Sequence, residues 1–96
     1  MGWIEVIEIR TTHNKLQLLE QGLGNIINGT EIRSKFQAFE VYRSGTVDTD
    51  FCIHLVHNSE INKCGSSLGI RFASALKDFG LVNHIVWEEM KNPKEI

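Results

Sequence analysis

The chain has 96 residues, 42% of them hydrophobic, and ten basic against twelve acidic residues give a formal net charge of −2. That length fits one domain, the apolar fraction excludes a disordered chain, and the charge balance supplies no basic field for gripping phosphate, so no nucleic-acid partner is expected. No stretch reaches the roughly 18 apolar residues of a membrane span, and the opening MGWIEVIEIR carries Glu5 and Glu8 inside its apolar run, unlike a signal peptide.

Trp3 to Arg10, WIEVIEIR, is rich in β-formers and predicts a strand. Its apolar residues fall on both parities, Ile4 and Val6 against Trp3, Ile7 and Ile9, as in a strand covered on both sides. Thr11-Thr12-His13-Asn14 offers capping side chains. From Lys15 the period becomes helical, with Leu16, Leu19, Leu23, Ile26 and Ile27 on one stripe and Asn28-Gly29 as a stop. Asn28-Gly29-Thr30 matches a glycosylation sequon and is read as a turn.

Glu31 to Lys35 is a polar connection. Phe36 to Arg43 and Phe51 to His57 are two strands joined by the turn residues Ser44 to Thr49, close enough in sequence to pair antiparallel. Asn58 to Gly65 is polar and irregular. Ser66 or Ser67 caps a second helix, with Leu68, Phe72, Ala75, Leu76 and Phe79 as its buried stripe and Arg71, Ser74, Lys77 and Asp78 facing water. Gly80 ends that helix, Asn83 to Met90 is the last strand, and 93–96 is a charged tail.

The order strand, helix, strand, strand, helix, strand predicts an α+β, ferredoxin-like βαββαβ domain over 1–96. It has a four-stranded antiparallel sheet with both helices on one face. The other face carries apolar residues on the first and last strands, which a second copy of the chain would cover.

With this order, this length, and the texture of DFCIHLVHNSE followed by SLGIRFASALKDFGLVNHIVWEE, the chain resembles the dimeric α/β barrel superfamily, from Trp3 to Met90. That group includes the antibiotic-biosynthesis-monooxygenase-like and stress-responsive barrel proteins. The resemblance implies a homodimer with a small pocket for an aromatic or polyketide-like compound. Two activities stand: a cofactor-independent, monooxygenase- or isomerase-like enzyme, or a non-catalytic ligand-sensing or assembly module. No cofactor is expected. The haem-degrading branch does not fit, because its Asn, Trp and His set has no counterpart in the strands here. A cytoplasmic location is expected, since Cys52 and Cys64 make no disulfide framework.

FCIHLVH, residues 51 to 57, is the densest group of candidate site residues. Strand side chains alternate, so Phe51, Ile53, Leu55 and His57 share one face, under the helices, and Cys52, His54 and Val56 share the other. The two histidines therefore cannot share a metal through this strand. If the neighbouring strand keeps Phe39 and Val41 on the helix side, then Glu40 and Tyr42 join Cys52 and His54 on the open face, with Glu40 opposite His54 and Tyr42 opposite Cys52 in one permitted register. The catalytic reading makes His54 a general base oriented by Glu40, with Tyr42 holding a ligand oxygen. The plainer reading is a cross-strand pairing that makes dimer contacts. A metal on Cys52 and His54 lacks the ligand count and spacing of a zinc site.

The remaining candidates have plain readings beside functional ones. GLGNIING lies in or beside a helix, outside the strand-to-helix context of a phosphate loop. CGSSLG opens the second helix, as a cap or an anion site. His13 and His84 read as solvated histidines or pocket lining, Trp3 and Trp87 as core, dimer interface or an aromatic platform, and Cys64 as an incidental thiol or a reactive one. An RNA-binding sheet would need a basic glycine-aromatic signature, which is absent.

Overall fold

The computed structural model describes residues 2–28 and 38–90. Its elements run β1 (Trp3–Thr11), α1 (His13–Ile27), β2 (Ala38–Arg43), β3 (Asp50–His57), α2 (Ser67–Leu76) and β4 (Gly80–Glu88). The strands form one sheet in the order β2-β3-β1-β4, every neighbouring pair antiparallel. This is the ferredoxin-like α+β fold that the element order predicts.

One face of the sheet is closed by both helices. Ile7, Ile9, Phe51, Ile53 and Leu55 from the central strands pack with Leu19 and Leu23 of α1 and Phe72, Ala73 and Leu76 of α2 in a single core. Every sheet residue in that set has the same parity, as the pleat requires. Phe39 meets Phe72 edge-on, with ring centroids 6.0 Å apart.

Three local expectations are corrected. In α2 the buried stripe is Gly69, Phe72, Ala73 and Leu76, and Ala75 is exposed. The i, i+3, i+4, i+7 spacing selects Ala73 in its place. The helix ends at Leu76, before Gly80, and Gly80 begins β4 three residues earlier than the apolar pattern indicates. A Cβ at Gly80 would strike the carbonyl oxygen of Arg10, so this glycine permits close approach to β1. Finally, α1 starts at His13, and its N-cap Thr12 makes no side-chain capping bond. Ile27's side chain, Gly29 to Gln37 and the 93–96 tail lie outside the described residues.

The face away from the helices is the open one. Ile4, Val6, Val56 and Ile85 lie there half-buried, while Leu81 is 77% and Trp87 57% exposed. Two charges on this face neutralise each other, Arg10 gripping Asp50 through two hydrogen bonds of 2.9 Å. The guanidinium holds the Asp50 carboxyl below its ordinary pKa, mainly through the hydrogen bond. No helix among the described residues is long and apolar enough to cross a membrane.

Candidate functional site

The helix-facing parity of β1 is Trp3, Glu5, Ile7, Ile9 and Thr11, so Glu5 is carried into the core by the same alternation that buries its neighbours. It is fully buried. Its Oε2 lies 2.5 Å from Nε2 of His57 on β3 and accepts from Oγ of Ser66 at 2.6 Å. Its Oε1 accepts from the Ser66 backbone N–H at 2.9 Å and lies 2.8 Å from Nε2 of His84 on β4. An ionised carboxylate offers about four acceptor positions, and here each oxygen meets two partners. With the acid ionised, both imidazoles carry hydrogen on Nε2 and donate it. Ser66 also caps α2, since its Oγ accepts from Gly69 N–H at 3.0 Å.

Two glycines make room for this carboxylate. A Cβ on Gly69 would collide with Oε1 of Glu5, and one on Gly65 would stand 2.7 Å from that same atom and 2.7 Å from Cε1 of His84. Gly65 also has a φ of 95°, a region open to glycine and strained for other residues. The anion that CGSSLG receives at the start of α2 is therefore the chain's own Glu5.

Beside this cluster, a cavity of about 410 Å³ opens between the end of the sheet and α2, lined by Trp3, His57, Glu60, Ser66, Ser67 and Arg71 among others. Trp3 and His57 border it with only 4% and 7% of their surface exposed. The rings of Trp3 and His57 stack with centroids 4.0 Å apart and planes 13° from parallel, both residues buried. The indole Nε1–H donates to Oγ of Ser59 at 3.3 Å, which fixes the ring edge.

The open-face candidates take one of the registers that parity permits. Glu40 stands opposite His54 and Tyr42 opposite Cys52. Their bonding differs from the catalytic arrangement. The Tyr42 hydroxyl donates to Oε2 of Glu40 at 2.6 Å, and the Tyr42 ring tilts against His54 with centroids 5.0 Å apart. Among the described residues no hydrogen bond joins Glu40 to His54. The bond to Glu40 raises the Tyr42 pKa above its ordinary value, with desolvation and the charges of Glu40 and Cys52 adding to it. Burial, then the charge of Glu8, pushes the Cys52 thiol up. Cys64 is exposed.

Of the other histidines, His13 is exposed and sits 3.4 Å from Asp48. His84 belongs to the buried cluster, contrary to the solvated reading, because it lies on the helix-facing parity of β4, opposite Ile7. Glu5 was the residue that sequence reasoning passed over. Its signal is its position in WIEVIEIR: an acid on the parity of Trp3, Ile7 and Ile9 must be buried with partners.

No protein-family model matches the chain. Among solved structures it is similar to Rv0793 from Mycobacterium tuberculosis, with a TM-score of 0.72 and 13% sequence identity over 97% of this chain and 99% of that one. A likeness at that identity shows the shared fold.

Proposed function

We propose that this chain is a homodimeric member of the dimeric α/β barrel group that binds a small planar compound in the cavity beside Trp3 and His57. The observation that carries this reading is the cavity itself. It is lined by Trp3 and His57 together with polar side chains, beside a fully bonded carboxylate that holds His57 and Ser66 in place. Concave sites with apolar floors and a few fixed polar groups are where small ligands bind. In this reading the second copy lies against the open face, where Leu81 and Trp87 are exposed. Glu40, Tyr42 and His54 then belong to the subunit contact, since they share that face.

The chain has two tryptophans, so a Trp87→Phe variant leaves Trp3 as the sole indole reporter. A panel of hydroxylated aromatic compounds titrated into that variant is expected to contain members that quench Trp3 emission saturably. His54→Gln is expected to weaken the dimer and leave that quenching unchanged. A panel without effect on Trp3 contradicts the cavity reading, and loss of quenching in His54→Gln with the dimer intact restores His54 to the ligand site. Oxygen uptake in the presence of a binding compound then separates the monooxygenase-like enzyme from the ligand-sensing module.

A further inference from the structure

The cavity is lined by two ionisable side chains whose charges are unspent. Arg71 projects from α2 one turn beyond Ser67, and Glu60 lies in the loop that follows β3; both line the cavity. Among the described residues neither makes a hydrogen bond or an ion pair. The contrast with the other arginines described is clear. Arg10 is held by Asp50, and Arg43 is held by Glu20 and also lies over the Phe51 ring. An arginine fork matches a carboxylate with two parallel hydrogen bonds. A carboxylate such as Glu60 accepts from a hydroxyl and disfavours a second negative charge on the ligand.

We infer that the cavity selects an aromatic hydroxy acid, its ring beside Trp3 and His57, its carboxylate on Arg71 and its hydroxyl toward Glu60, with Arg71 setting the preference for anion over neutral compound. This rests on the cavity reading above. Both charged groups are exposed, so solvent and salt weaken each contact and the preference falls as ionic strength rises.

The test uses salicylate and salicylamide, which share a ring and a hydroxyl and differ in charge, each titrated into the full-length Trp87→Phe protein. Salicylate is expected to bind about fivefold more tightly, the upper scale of one exposed ion pair. Arg71→Gln is expected to remove that preference by weakening salicylate alone, and Arg71→Lys, which keeps the charge without the fork, to retain part of it. Equal binding of the two compounds, or a preference that survives in Arg71→Gln, overturns the assignment to Arg71 and leaves the cavity reading standing. Binding of other panel members with neither of these two overturns the hydroxy-acid class. No response of Trp3 to any compound overturns the cavity reading and this assignment with it.

Discussion

Glu5 and His57 meet at 2.5 Å across a diagonal of the sheet: Glu5 stands opposite Leu55, and His57 opposite Trp3. The diagonal lets one imidazole stack on Trp3 and bond Glu5 at the same time. Removing a charge from water costs several kcal/mol unless its hydrogen-bonding capacity is met, and here the four contacts join β1, β3, β4 and the start of α2 through one side chain. Glu5→Ala removes the carboxylate that His57, His84 and the Ser66 donors meet. It is expected to lower the free energy of unfolding by about 3 kcal/mol, read from urea denaturation. A loss below about 1 kcal/mol, the size of an ordinary exposed pair, contradicts the clamp.

Gly69 supplies a test of the same packing from the other side. Alanine ordinarily favours a helix over glycine by about 1 kcal/mol, yet a Cβ at Gly69 collides with Oε1 of Glu5. Gly69→Ala is therefore expected to destabilise the protein by about 2 kcal/mol, the scale of overpacking. In a Glu5→Ala background the same change is expected to be neutral or stabilising. The cycle is read by denaturation of all four proteins, and equal effects in both backgrounds contradict the steric account.

Tyr42 is the chain's one tyrosine, so tyrosinate absorbance reports it alone. Its midpoint is expected above the ordinary value near 10, because the bond to Glu40 favours the protonated phenol. The folded pKa is raised above the unfolded one. The stabilisation is thus fully present below the unfolded pKa and lost as pH rises through the folded one. Glu40→Gln is expected to move the midpoint down; an unchanged midpoint contradicts the bond.

The two cysteines are expected to differ in reactivity. Burial and Glu8 keep the half-buried Cys52 protonated at neutral pH, whereas Cys64 is exposed. Alkylation followed by mass spectrometry is expected to place the first adduct on Cys64, and first labelling at Cys52 contradicts this order.

Alternation made most of the architecture legible. The parity of FCIHLVH separates His57 from His54, and keeping Phe39 and Val41 with the core puts Glu40 on the face of His54; parity leaves registers two residues apart open, and the structure takes the one that pairs Glu40 with His54. The buried cluster was harder to see for two reasons. Glu5 belongs to a strand whose apolar residues occupy both parities, so its acid reads as an interruption until the helix side is identified. His84 lies in a strand with apolar residues on both parities, so its face is settled only by the pairing of β4 with β1, and Gly80, which ordinarily signals a helix end, serves there as a strand residue packed against Arg10. Ser66 joins the site only through the tertiary approach of α2 to β1, which no local pattern encodes.

We propose that a second copy covers the open face, where Leu81 and Trp87 are exposed. Light scattering on a dilute, folded sample measures this most directly. The account predicts a mass twice the 10.9 kDa of one chain, reduced to a single chain's mass in a Leu81→Glu/Trp87→Glu variant that keeps its far-ultraviolet circular dichroism. A folded wild-type protein running at the mass of one chain would contradict it.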